Sequence, residues 1–254
     1  MTPALDSFSP LQFFAVFGVG MVSGFFNVTA GGGSFFSVPL LIVLGFPAAV
    51  ANGTNRVALV VQNLTAIPQF RHGGVNRMRL ALPIALAALP SALLGAWLAV
   101  LIPELTFRKL LGGLMIAMTA VVLLSPKGGT VEPELGHRYR WLTLLSFFGI
   151  GAYGGLIQAG VGFPIVFALA GLERFTLVRS HAYKIIVVLA IQLAALPIFI
   201  GSEAIDLSAA VVLSVAYALG GWVGAKVVLQ SGDRTLRIIF AVSALLLALK
   251  MLLG

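Results

Sequence analysis

The sequence predicts an all-α integral membrane protein built as an inverted-repeat transporter. Each half contributes a glycine-broken helical hairpin plus three transmembrane helices. Three observations lead there. First, 59% of the 254 residues are hydrophobic and 9% are charged, where a soluble domain carries roughly 25% charged residues. Mean hydropathy is +1.06, and too few polar side chains remain to cover a soluble surface. Second, the apolar runs are long and continuous rather than alternating with period two, which selects helices over barrel strands. Third, the layout occurs twice along the chain. Lys plus Arg number 16 against 8 acidic residues, a net charge of +8. They are scattered between apolar runs, so they read as orientation signals and anion ligands, and no nucleic-acid partner is expected. The absence of Cys excludes disulfides, thiolate metal sites and thiol catalysis.

Apolar segments fall at 11–46, 57–70, 80–102, 110–124, 142–172, 185–200, 207–229 and 238–253. No Lys or Arg precedes the first of them, so a cleaved signal peptide is not expected. A span needs about 20 residues, and segments 11–46 and 142–172 exceed that. The first is cut by Gly31-Gly32-Gly33-Ser34 and Pro39, the second by Gln158-Ala159-Gly160-Val161-Gly162 and Pro164. Such breaks survive at lipid depth only where protein or a watery cavity satisfies the freed backbone. The limb from Phe163 to Gly171 would be only ~14 Å of helix, against ~30 Å of hydrocarbon. At least one broken segment is therefore expected to be re-entrant or strongly tilted.

At an offset of 129 residues Pro68 matches Pro197, Gly95-Ala96 matches Gly224-Ala225, and Arg108 matches Arg237. In the first segments Phe17-Gly18-Val19-Gly20 resembles Phe148-Gly149-Ile150-Gly151, Gly24 matches Gly155, and Asn27 matches Gln158. Shared order and spacing point to duplication. If each broken segment crosses once, the basic residues divide almost evenly between the two sides. If each is a hairpin, one side keeps only Arg56, Arg108, Lys109 and Lys250, leaving twelve of the 16 on the other. The positive-inside rule prefers the hairpins. Each half then crosses an odd number of times, the halves are inverted, and both termini face the periplasm. The expected organisation is a first membrane repeat at 1–124, a cytoplasmic linker at 125–141 and a second repeat at 142–254. The linker's Pro, Gly and charges mark a loop.

Discontinuous helices expose N–H groups and the positive end of a helix dipole, which attract anions. The candidates are Gly31, Gly32, Gly33 and Ser34 in one half and Gly160 and Gly162 in the other; the competing reading is close helix packing. For Gly112 and Gly113, packing is the expectation. Only 14 residues separate Arg56 from Arg71, about 21 Å of helix, so one of these arginines is expected below the interface. Lys184, after Ser180-His181-Ala182-Tyr183, holds the aligned place in the second half. An intramembrane cation needs water, an anion or a polar cavity, although snorkelling at a helix end is the alternative for both. Gln62, Thr65 and Gln69 recur at helical spacing, and Asn63 aligns with Gln192; they line a pathway or bond neighbouring helices. Lys226 and the tryptophans Trp97, Trp141 and Trp222 read as interfacial.

All eight acidic residues lie in tails or loops, so a carboxylate proton relay or a cation carrier is not expected. His181 alone among groups near the proposed site titrates near neutral pH. No HExxH motif and no Ser-His-Asp set supports hydrolysis, so an enzyme is not expected.

The stretch from Gly24 to Leu41, with Gly31-Gly32-Gly33, Val38-Pro39 and Leu40-Leu41, resembles the glycine-rich opening of the TauE/SafE family of sulfite exporters. Ala51-Asn52-Gly53-Thr54-Asn55 resembles that family's A-x-GT segment, and Arg71-His72-Gly73-Gly74-Val75 its R-H-G-x-V loop. The resemblance implies a multi-pass permease of the bacterial inner membrane for sulfite, sulfonates or related organosulfur anions, with no cofactor. His181-Ala182-Tyr183 departs from the pattern in the second half. The binding set expected from residues and resemblance together is Asn27, Gly31, Gly32, Gly33, Ser34, Thr54, Asn55, Arg56, Gln62, Gln158, Gly160, Gly162, His181, Lys184 and Gln192. Asn27, Ser34, Thr54 and Gln158 would donate hydrogen bonds, and Arg56 or Lys184 would supply charge. An anion channel on the same scaffold and a membrane receptor or sensor are the alternative functions. Partners are a small anion and the lipid bilayer, with homodimerisation left open.

Overall fold

The structure is a computed structural model. It describes residues 10–75, 77–123, 129–131 and 138–231, with single positions at 235, 238 and 242. All of the eighth apolar segment but positions 238 and 242, most of the linker, and Asp6, Glu132, Glu134 and Asp233 lie outside the described residues. The described chain is helical, with one isolated bridge between Val131 and Phe175.

Helix α1, Pro10–Thr29, is followed across the first glycine break by the ten-residue α2, Ser34–Val43. Then come the 25-residue α3, Ala48–His72, a 3-10 turn at Met78–Ala81, α4, Leu82–Leu101, and α5, Glu104–Leu123. The series recurs in α6, Trp141–Leu156, the ten-residue α7, Gly162–Gly171, the 25-residue α8, Leu177–Gly201, and α9, Leu207–Gln230. Among the described residues, four helical stretches are long and apolar enough to cross a membrane: Pro10–Thr29, Met78–Leu101, Leu177–Gly201 and Leu207–Gln230. α3 equals α8 in length but carries Asn52, Asn55, Arg56, Gln62 and Asn63. At ten residues, α2 and α7 each reach about 15 Å, half of the hydrocarbon. Their large apolar residues are mostly buried within the protein.

The two series exchange partners. α1 packs along α9, and α6 along α4; α3 and α8 pack on each other, α3 also on α9 and α8 on α4. Matched glycines of the repeat make these crossings. A Cβ at Gly20 would meet the Ala216 Cβ at 2.7 Å, and one at Gly24 the Tyr217 carbonyl oxygen at 2.6 Å. A Cβ at Gly151 would overlap the Ala88 carbonyl, and one at Gly155 the Ala92 carbonyl. Small residues four apart let the backbones approach, which is how helices associate where lipid offers no hydrophobic drive. Gly112 and Gly113 differ from the packing expectation: a Cβ on either would meet no described atom within 4 Å.

Acidic side chains fasten helix starts near the surface. The Asp206 carboxylate accepts from Ala209 N at 2.8 Å, and Glu104 Oε2 accepts from Ala48 N at 2.7 Å. Glu173 Oε1 accepts from Arg140 N at 3.2 Å and from the Thr143 hydroxyl. A carboxylate there satisfies orphan N–H groups and complements the dipole. Trp97, Trp141, Trp222 and Lys226 are exposed, and the Lys226 ammonium lies 3.4 Å from the Trp222 ring centroid.

Candidate functional site

The two glycine breaks meet. Gly162 N donates to the Gly31 carbonyl at 3.2 Å, and Gly31 has φ +102°, a conformation that favours glycine. A Cβ on Gly32 would collide with the Phe163 ring, and one on Gly160 with the Phe35 ring. Each break thus receives the first aromatic ring of the other half's short helix. Only hydrogen at Cα leaves room for it.

Broken helices leave carbonyls without intrahelical partners at the end of their first limb. Those at the end of α6 are all satisfied. The Tyr153 carbonyl accepts from Ile157 N and Gln158 N. Gly154 O accepts from Arg56 Nη1 at 3.1 Å, Gly155 O accepts from Arg56 Nη2, and Leu156 O accepts from Asn52 Nδ2 at 3.0 Å. At the end of α1, Phe26 O accepts from Ala30 N and Gly31 N. The next two carbonyls, Asn27 O and Val28 O, accept from Lys184 Nζ at 2.7 and 2.6 Å. In each half, then, a cation of the long helix binds two carbonyls at the negative end of the other half's broken helix. Arg56 and Lys184 are both buried. The Arg108–Glu104 ion pair, by contrast, lies at the surface.

The cations differ in what else they meet. Arg56 also donates to Gln192 Oε1 at 2.8 Å and lies over the Phe199 ring, 4.4 Å from its centroid. Lys184 contacts His181 Nδ1 at 3.1 Å and borders a small cavity. The wall consists of Asn27, Gly31, Ser34, Leu59, Asn63, Gln158, Val161, Gly162, Lys184 and Val188. The cavity therefore sits between the two breaks, with one cation and no carboxylate in its wall.

Its polar wall is partly bonded. Asn27 Oδ1 accepts from Ser34 N at 3.2 Å, capping α2. Ser34 Oγ accepts from Asn55 Nδ2 at 3.0 Å and from Asn27 Nδ2 at 3.4 Å. Asn55 Oδ1 in turn lies 2.8 Å from the Ser37 hydroxyl and 2.6 Å from that of Tyr217. Gln158, at φ +57°, donates through Nε2 to the Asn52 carbonyl at 2.9 Å. Gln158 Oε1 and Asn63 Nδ2 are buried without a hydrogen-bond partner among the described residues.

Of the expected binding set, the structure brings Asn27, Gly31, Ser34, Gln158, Gly162 and Lys184 to the cavity wall. Asn55 and His181 stand one contact behind it, on Ser34 and Lys184. Gly32, Gly33 and Gly160 serve close packing at the breaks. Arg56 and Gln192 hold the end of α6, and Gln62 donates to Gly24 O at 3.0 Å across the α1 crossing. Thr54 Oγ1 accepts from Asp206 N at 2.9 Å, joining α3 to the start of α9. The Gln62, Thr65, Gln69 stripe does not act together, since Gln62 is buried while Thr65 is exposed. Asn63, Leu59, Val161 and Val188 are wall residues outside the expected set. The alignment of Asn63 with Gln192 was the available signal for the first; for the other three, no apolar position in a hydrophobic segment stands out. Ser37 and Tyr217 complete the Asn55 network without any pattern that marked them.

Thr54→Val is expected to lower stability by about 1 kcal/mol, the size of one lost backbone cap, while leaving anion affinity unchanged. Thermal unfolding and a binding titration on the same purified variant check both halves.

The family profile described as "Sulfite exporter TauE/SafE" matches residues 16–251. A probable membrane transporter protein of Haemophilus influenzae is 29% identical over 93% of this chain and 92% of its own length. The probable membrane transporter protein YfcA of Escherichia coli is 27% identical over 96% and 91%. The probable membrane transporter protein ORF9 of a Sinorhizobium species is 25% identical over 93% and 91%. No solved structure matches the chain significantly. A profile covering nearly the whole chain, over paired broken helices that fit the glycine-rich motif, places the protein in the TauE/SafE sulfite exporter family of multi-pass membrane transporters.

Proposed function

We propose that the chain is a secondary transporter of a small sulfur oxyanion, sulfite or a sulfonate, in the bacterial inner membrane. The observation that carries this reading is the cavity between the breaks. It has one buried cation, the hydroxyl of Ser34, an unpartnered amide nitrogen on Asn63 and no carboxylate in its wall. In a low-dielectric interior a lone cation favours an anionic guest and disfavours cations. The repeat supplies the movement. The matched helix series and their exchanged packing suit halves of inverted topology that rock about the breaks, giving alternating access with both termini periplasmic. The first repeat would span 1–124 and the second 142–254, joined by a cytoplasmic linker. The relatives' names as membrane transporters favour transport over catalysis.

Lys184→Met in proteoliposomes is expected to reduce sulfite flux at least ~100-fold, since the neutral side chain leaves the anion's charge unpaired at membrane depth. A folded Lys184→Met protein with wild-type flux would sink the assignment. Saturable counterflow in the wild type would support a carrier, and single-channel currents would replace it with a pore.

A further inference from the structure

The cavity wall holds one feature that a simple anion does not explain. Gln158 is 1% exposed, and its orientation is settled by its neighbour. The Asn52 carbonyl can only accept, so the side-chain nitrogen must face it, as the 2.9 Å contact has it. The amide oxygen is thereby left over, buried and unpartnered among the described residues. A buried acceptor without a donor costs about 1–3 kcal/mol. A bare oxyanion offers only more acceptors and would lie against Gln158 Oε1 lone pair to lone pair. Opposite in character are the Lys184 ammonium and Asn63 Nδ2. Ser34 Oγ already accepts from two amide nitrogens, and its hydroxyl has Tyr217 as a further partner. Asn63 is 4% exposed, with Nδ2 unpartnered.

Charge adds a second, independent constraint. Lys184 is the one charged residue in the wall. Arg56 is engaged with Gly154, Gly155 and Gln192 and does not reach the wall. One cation neutralises one negative charge; a dianion would carry an unpaired charge into the membrane interior, at a cost of several kcal/mol.

We infer that the cavity selects a singly charged oxyanion that carries a hydrogen-bond donor of its own, its charge balanced by Lys184, whose hydrogens stay on Asn27 O, Val28 O and His181 Nδ1, an oxygen toward Asn63 Nδ2 and its donor hydrogen on Gln158 Oε1. This specificity rests on the oxyanion reading above. Hydrogensulfite and amino- or hydroxyl-bearing sulfonates satisfy it; donor-free sulfonates and doubly charged sulfate do not.

The test uses sulfamate and methanesulfonate, tetrahedral monoanions of nearly equal size that differ in an NH2 against a CH3, with sulfate as the dianion. Affinities are measured by calorimetry on the purified full chain. Sulfamate is expected to bind at least ~10-fold tighter than methanesulfonate, and sulfate more weakly than sulfamate. Gln158→Met should abolish the difference between sulfamate and methanesulfonate. Equal binding of the two monoanions to the wild type overturns the donor requirement, whether or not the variant folds. Sulfate binding as tightly as sulfamate overturns the charge limit. Both results leave the oxyanion reading standing, provided that Lys184→Met weakens the binding observed. If none of the three anions binds in a Lys184-dependent way, the proposed function itself falls and this specificity falls with it.

Discussion

Arg56→Met is expected to destabilise the protein by about 3 kcal/mol or more, measured by thermal or denaturant unfolding in detergent. The substitution strands three acceptors, Gly154 O, Gly155 O and Gln192 Oε1, each at about 1–3 kcal/mol when buried without a donor. It also removes the guanidinium from the Phe199 ring, a contact worth up to about 2 kcal/mol when desolvated. Relief of burying a charge offsets part of this, but removing one side of a buried charged contact remains strongly unfavourable. Arg56→Lys recovers only a fraction, because the ammonium loses the planar guanidinium that lies over the Phe199 ring. A variant that melts with the wild type but no longer transports would reverse the assignment, making Arg56 a cargo ligand.

Gly33→Ala is expected to cost about 3 kcal/mol or more and to prevent accumulation of folded protein. Gly33 has φ −57°, so the backbone tolerates any residue, and the effect is purely steric. Its Cβ would overlap the Ser23 carbonyl oxygen and lie 2.8 Å from Asn27 N. Both are backbone atoms of α1 and neither can rotate away. Gly18→Ala, within the same helix, is the control: nothing lies within 4 Å of its Cβ. That variant is expected to be neutral or more stable by up to about 1 kcal/mol. Size-exclusion recovery and melting temperature separate the two, and equal recovery would show that the break relaxes more easily than its packing indicates.

Much of the fold was legible because it rests on length and periodicity. Gly31-Gly32-Gly33 and Gly160-Val161-Gly162 end helices in their apolar runs, and the short limbs α2 and α7 follow from the distance to the next break. The 14 residues between Arg56 and Arg71 are too few for both to reach water, and Arg56 is fully buried while Arg71 is exposed. Of the glycines matched along the sequence, Gly20, Gly24, Gly151 and Gly155 occupy helix crossings, and Gly18 and Gly149 do not.

The site was less legible. Arg56 and Lys184 are indistinguishable by type and by place in their helices, yet one braces α6 and the other borders the cavity. Thr54 and Gln62 are as polar as Asn63, but their partners are Asp206 N, 152 residues away, and Gly24 O, 38 residues away on α1.

Hydropathy, helix length and the positions of glycine are properties of neighbouring residues, so the sequence by itself determined a membrane protein of paired, broken helices. Which polar side chain is spent on a carbonyl and which is left facing an opening depends on contacts 98 to 157 residues apart. Those contacts exist only once the halves have exchanged helices, so tertiary structure alone decided that Lys184, Asn63 and Gln158 share the cavity.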